Sequence, residues 1–248
     1  MALPTWLQQI LDSLQEDFYL NFVKDDRYLY IVRGLGVTLE VTFFAVLLGI
    51  ALGIVCAIIR STYDKCFLDM RKGFPKFILR FFNELTGVYL TVVRGTPVVV
   101  QLMIAYFVIF ASSKNKVLVA ILAFGINSGA YVAEIIRSGI MSIDNGQFEA
   151  GRSLGFNYVQ TMVYIIIPQA FKNVLPALAN EFIVLLKETS VSGYIGLEDM
   201  TKGGDIIRSR TYTAFMPLLA VAAIYLIIVV FFSKLVSILE RRLRNSER

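Results

Sequence analysis

The run from Leu35 to Ile59 carries one charged side chain, Glu40, in 25 residues. As a helix rising ~1.5 Å per residue it crosses the ~30 Å hydrocarbon layer of a bilayer with some tilt. Further apolar runs follow at Val117–Ile136, Val174–Ile195 and Ala214–Phe232, and a shorter one at Pro97–Ala111. Hydrophobic residues make up 56% of the chain and charged ones 17%, with a mean hydropathy of +0.66. That is more apolar side chain than one soluble core of this size can hide, so the reading is an all-α integral membrane protein of about five transmembrane helices. No soluble domain is long enough to fold alone.

Charge sets the expected orientation. The segments Arg60–Arg80, Arg137–Lys172 and the tail (Lys234, Arg241, Arg242, Arg244, Arg248) hold 14 of the 24 basic residues, and the opposite side holds 8. The richer side is cytoplasmic by the positive-inside rule, which puts the N-terminus outside and the C-terminus inside. Residues 1–30 show no cleavable signal pattern. Leu3, Leu7, Ile10, Leu11 and Leu14 recur there at helical spacing beside Trp6, as in a helix lying in the membrane interface or packed on the domain. Residues 31–240 form the transmembrane domain, with a cytoplasmic loop at about 138–172, and 241–248 a basic tail. The net charge of +5 comes from residues flanking apolar spans and forms no stripe interleaved with aromatics, so nucleic acid is not an expected partner. With no histidine, His-based proton relays, metal ligation and Ser-His hydrolysis are excluded; Cys56 and Cys66 make neither a disulfide framework nor a CxxC.

Polar residues inside the spans narrow the chemistry. Gly49 and Gly53 form a GxxxG on the first span, a signal for close helix packing. Thr96 and Pro97 read as N-cap and first residue of the short second span. Two readings of that span are open: a helix beginning at membrane depth, whose free N–H groups suit a carboxylate, or an ordinary helix kinked at Pro97. Before it, Ser61–Phe82 is a basic loop, and Phe77–Val93 an amphipathic stretch expected along the inner surface. Glu134 and Arg137 are spaced to pair on one face. Glu181 and Glu188, two helical turns apart, share a face of the fourth span, where burying charge is costly unless it meets a cavity or a partner. A mixed-charge loop is expected over Ile195–Thr213.

An amino acid that leaves water needs partners for both its charges. Glu181 and Glu188 can hold its ammonium or a cationic side chain. Arg94 and the N–H groups after Pro97 can hold its carboxylate, with Thr96 and Gln101 supplying neutral hydrogen bonds. The competing reading is that Glu181, Glu188, Lys187 and Arg94 pair only with one another. Two carboxylates against one nearby lysine lean towards a basic or neutral polar amino acid.

Between the third and fourth spans lies EAGRSLGFNYVQTMVYIIIP, Glu149 to Pro168. Glu149 and Ala150 are expected to open a short helix, Gly155 to close it, and Tyr158–Ile167 to start a second helix that ends or bends near Pro168. The stretch resembles the EAA loop of ABC importer permeases, with Gly151 at the third position, Gly155 as the glycine after three intervening residues and Ile167-Pro168 as the apolar-Pro pair. VRGTPVVVQL (Val93–Leu102), GAYVAEIIRSGI (Gly129–Ile140), GQFEAGRSLG (Gly146–Gly155) and LLKETSV (Leu185–Val191) are similar to the polar amino acid branch (His/Gln/Arg type, type I importer fold). The resemblance covers about residues 30–240; residues 1–30 and the loop 61–82 lack a counterpart. It implies the membrane subunit of an importer in a bacterial inner membrane, working with a second permease (the same chain or a paralogue), two ATPase subunits that bind ATP and Mg, and an extracytoplasmic solute-binding protein. It also implies that Glu149, Ala150, Gly151 and Gly155 couple this chain to the ATPase. No GxxxxGK[ST] loop is present, so the chain itself is not expected to be an enzyme. The alternative is a secondary carrier or channel using the intramembrane carboxylates as ion sites, which leaves the EAA-like loop without a purpose and lacks an inverted repeat. A membrane enzyme is more remote, for want of a nucleophile-base or metal set.

Overall fold

A computed structural model describes residues 5–68 and 70–245 and, within them, leaves the side chains of Leu7, Ile10, Arg244 and Asn245 undescribed. Leu3, Ser246 and Arg248 lie outside the described residues, as do the interface contacts expected of Leu7 and Ile10. The described chain is helical throughout: α1 (Thr5–Phe18), α2 (Tyr28–Cys66), α3 (Phe74–Gly95), α4 (Val98–Ile104), α5 (Lys116–Met141), α6 (Asn145–Ser153), α7 (Tyr158–Thr161), α8 (Ile167–Glu188), α9 (Met200–Thr211) and α10 (Phe215–Asn245). Three of these and the continuous stretch Tyr158–Ile195 are each long and apolar enough to cross a membrane; α3 and α4, with the π-turn that prolongs α4 to Ile109, form a pair bent by 108° that makes a fifth span only when the two are taken together.

At the centre stands α5, 61% buried over its most apolar window against 28% or less for the other three single spans. Small residues let α2 approach it: a Cβ on Gly49 would sit 3.2 Å from the Gly129 backbone nitrogen, and one on Gly125 only 2.6 Å from Leu48 Cδ2. The GxxxG of α2 is therefore spent inside the chain, on α5. Val41, Ala45, Leu102, Phe124 and Leu185 bring α2, α4, α5 and α8 into one apolar core.

Besides the loop expected over Ser61–Phe82, most of which is helix because α2 runs on to Cys66 and α3 starts at Phe74, two elements depart from the sequence expectation. Ile195–Thr213 is not a loop: after the 3-10 turn Thr189–Ile195, α9 lies across the N-terminal end of α2. The cue was local, since Asp199 accepts from the backbone N–H of Thr201 and Lys202 as an N-cap. The Met200 N–H donates to Thr38 Oγ1, and buried Asn21 accepts from Thr211 and Thr213, which anchors residues before α2 to this layer. The second departure concerns Pro168. The helix that carries the fourth span begins at Tyr158 rather than Val174 and continues through the proline, because the π-turn Met162–Ile166 widens the helix just before it. A wider turn relieves the clash of the ring with the preceding carbonyls. In α1, Trp6, Leu11 and Leu14 are exposed, so the domain does not cover that apolar face.

Burial raises the Asp199 carboxyl to about 6, against the pull of its backbone donors. Its unfolded value is ~3.9, so the folded state holds the proton more tightly; the stability this contributes is complete below ~4 and is lost as pH rises through about 6. Asp199→Asn keeps a capping oxygen without a charge to bury. It is expected to melt above the wild type at pH 7.5, with the gap narrowing towards pH 4.5, whereas Asp199→Ala loses the cap and melts below Asp199→Asn at both. Thermal unfolding in detergent at the two pH values checks this.

Candidate translocation site and coupling helix

The bend between α3 and α4 organises the first half of the site. Thr96 is not the N-cap of α4 but the C-cap of α3, and extended Pro97 takes the N-cap position, with no side-chain cap bond. The Thr96 hydroxyl donates to Val92 O at 2.8 Å and accepts from Gln101 Nε2 at 2.8 Å. Gln101 Nε2 also reaches Val93 O at 2.7 Å, and its Oε1 accepts from Asn127 Nδ2 of α5 at 2.9 Å. Proline leaves the α3 carbonyls without the N–H partner a continuing helix would supply, and Gln101 satisfies one of them while tying the corner to α5.

The neighbour of Asn127 makes the second link. Ser128 Oγ donates to Glu181 Oε1 at 2.9 Å, and Glu181 of α8 is 8% exposed. Two consecutive residues of α5 thus hold the α3–α4 bend on one side and the α8 carboxylate on the other. Asn127 and Ser128 had no part in the site expected from the sequence; an Asn-Ser pair inside an apolar span was the available signal.

Arg94 ends α3 beside α5, with Nη1 3.9 Å from Glu134 Oε2 and its guanidinium carbon 5.8 Å from the centre of the Tyr131 ring. Glu134 also accepts from Arg137 at 2.7 Å, as its spacing predicted, and Arg137 reaches Asp64 of α2 at 3.2 Å. Arg60, Glu84, Arg94, Tyr131 and Glu134 line a cleft of about 980 Å³. Glu181 and Glu188 are not among its lining residues. Among the described residues no ion pair joins Glu181, Glu188, Lys187 and Arg94 to one another; the partner of Arg94 is Glu134.

The second candidate region is α6. It starts at Asn145 rather than at Glu149, because Asp144 caps it through the Gly146 N–H at 2.6 Å. Phe148 and Gly151 face inward, and a Cβ on Gly151 would meet Thr161 of α7 at 2.7 Å, which accounts for glycine at this third position. Glu149, Ala150, Leu154 and Gly155 are exposed. Gly155 has φ of 79° and donates to Arg152 O, while Phe156 N donates to Gly151 O: a Schellman turn, which favours a residue without a side chain. Asn157 and Gln160 then cap α7 reciprocally.

A multi-pass helical subunit with a sharply bent helix pair, polar links at its core and a short exposed helix packed beside its spans is the architecture of an importer permease. The chain belongs to the family of binding-protein-dependent transport system inner membrane components, whose pattern matches residues 74–245. It is 35% identical to the arginine transport system permease protein ArtQ of Bacillus subtilis, over 88% of this chain and 94% of the relative. It is 38% identical over 166 residues to the glutamine transport system permease protein GlnP of Escherichia coli K12, covering 65% of this chain and 76% of that one. A crystal structure of an amino acid ABC transporter with histidines superposes with a TM-score of 0.77 at 42% identity, over 89% of this chain and 98% of that one. The chain is accordingly the permease component of an amino acid ABC importer, a multi-pass protein of the bacterial inner membrane and the transmembrane part rather than the ATPase.

Proposed function

We propose that this permease carries a polar amino acid of the glutamine or arginine class, and that Arg94, Thr96, Pro97, Gln101, Glu181 and Glu188 surround it in transit. The observation that carries this reading is the Asn127–Ser128 pair, which ties the α3–α4 bend and Glu181 to adjacent positions of one buried helix. A carboxylate approaching the bend would compete with Glu134 for Arg94, whose present contact of 3.9 Å is long for a charge-assisted bond. Glu181 and Glu188 would take the ammonium or a cationic side chain. Two relatives named for arginine and for glutamine fit a site that reads the two groups common to both.

The exposed face of α6, with Glu149, Ala150 and Gly155, would dock in a separate ATPase subunit that binds ATP and Mg; two such subunits, a second permease chain and a solute-binding protein complete the machine. Gly151 would set the spacing of α6 from α7. The α2–α3 connection and α6 lie at one end of the helices, joined by Lys65 to Asn145 at 2.7 Å, while α9 lies at the other. The basic end is then cytoplasmic and the N-terminus outside.

Proteoliposomes holding the co-expressed subunits test the assignment: glutamine or arginine uptake should need ATP and the binding protein together, and uptake that proceeds without the binding protein would refute the proposed assembly. For orientation, single cysteines at Ser112 and Ser153 in a background lacking Cys56 and Cys66 should be labelled from outside at Ser112 alone. Labelling of Ser153 instead would invert the topology.

A further inference from the structure

An apolar groove and a basic pocket meet at Tyr158. The groove, about 520 Å³, runs between α2 (Ile54, Ile58), the end of α5 (Ile136, Ile140) and the π-turn and α8 (Met162, Ala170). At Tyr158 it adjoins a pocket of about 290 Å³ lined by Lys65 of α2, Phe148 and Arg152 of α6, and Thr161. Neither basic residue forms an ion pair among the described residues: Lys65 donates to Asn145 Oδ1 and lies 4.5 Å from the Phe148 ring centre, and Arg152 is exposed. Glu149 borders the outer flank of the same basic region, which leaves two positive charges against one negative. Ser61 Oγ in the groove wall and Thr161 Oγ1 in the pocket wall have no hydrogen-bond partner.

We infer that this combined site binds an anionic glycerophospholipid from the leaflet on the α6 side. An acyl chain fits the groove, whose lining is apolar apart from Ser61, Thr62 and Tyr158, and the phosphate lies between Lys65 and Arg152. Position supports this occupant over a soluble one. The groove runs along the apolar helix from Tyr158 to Leu178 and the pocket lies at its basic end beside α6, so tail and headgroup fall in the order in which a lipid carries them. Charge supports an anionic head over a zwitterionic one, since unpaired basic side chains between crossings at a membrane surface attract anionic lipids. Because Phe148 and Arg152 belong to α6, the bound lipid braces the coupling helix against α2 and α7. The inference does not depend on which solute is carried.

Native mass spectrometry of the full chain, purified with its accompanying subunits and exchanged into equimolar phosphatidylglycerol and phosphatidylcholine, tests it. The wild type should retain phosphatidylglycerol preferentially, and Lys65→Gln with Arg152→Gln should lower that preference by roughly tenfold or more. Val163→Trp, which projects a larger side chain from an exposed position of the groove wall, should reduce retention of both lipids; a variant with an altered melting temperature is replaced by Ile54→Phe. Equal retention of the two lipids by the wild type, or an unchanged preference in the charge variant, overturns the site. So does a disulfide between Ile54→Cys residues of two permease chains, which would put a second copy in the groove.

Discussion

Glu149→Lys combined with Gly155→Asp is expected to bring ATP-dependent uptake down by roughly 5- to 150-fold, the span of a typical coupling free energy, while the protein still inserts. Glu149 is exposed on α6 and makes no ion pair among the described residues, so reversing its charge leaves the internal packing of the chain alone. The second change acts on the backbone. Gly155 holds φ of 79° with no atom near its missing Cβ, so a side chain there meets no clash but carries the cost of the left-handed conformation, about 1–2 kcal/mol, eased somewhat for Asp. That loosens the turn aiming α6. Membrane abundance should stay near wild type, and either the ATPase subunit should fail to co-purify or hydrolysis should run on without uptake. Unchanged uptake in the double variant would remove α6 from coupling.

The second large effect concerns Glu181. Glu181→Gln preserves shape and an oxygen able to accept from Ser128, now at 2.9 Å, but removes the charge. A charge-assisted bond to an ammonium is worth about 1.5–3 kcal/mol, so apparent affinity for the cognate amino acid should fall roughly 10- to 150-fold with little change in melting temperature. Ser128→Ala separates the roles: it takes away the partner that holds the carboxylate, and should lower stability along with affinity because the buried charge is left unpaired. If Glu181→Gln and Glu188→Gln both carry the cognate solute with wild-type affinity and rate, the site lies elsewhere.

Much of this architecture was legible from residue order. The long apolar runs announced the crossings, and the spacing of Glu149, Gly155 and Pro168 announced a short helix, a corner and a return. Glu134 and Arg137 were read as a pair from helical spacing. Each of these rests on local chemistry, the length of a lipid-compatible helix or the reach of a side chain along one turn, and so survives without knowledge of neighbours.

What depended on distant contacts was not legible. Pro168 looked like a helix end, yet a π-turn carries the helix through it and the buried Ile166 and Ala170 pack that segment on α5 and α6. Thr96 looked like an N-cap, yet its hydroxyl donates back to Val92 O at the end of α3 while Gln101 donates to it. The mixed charges of residues 195–213 suggested a loop, yet Gly34 and Gly203 let α9 lie close on α2. Arg94 was offered the fourth-span carboxylates as partners and instead sits beside Glu134. The sequence alone determined that the chain crosses a membrane, about how often, and that a short helix and corner precede the fourth span, because burial of apolar length and turn chemistry act within a segment. Only the tertiary structure decided which polar groups share a neighbourhood, because that follows from how close glycines allow the helices to come.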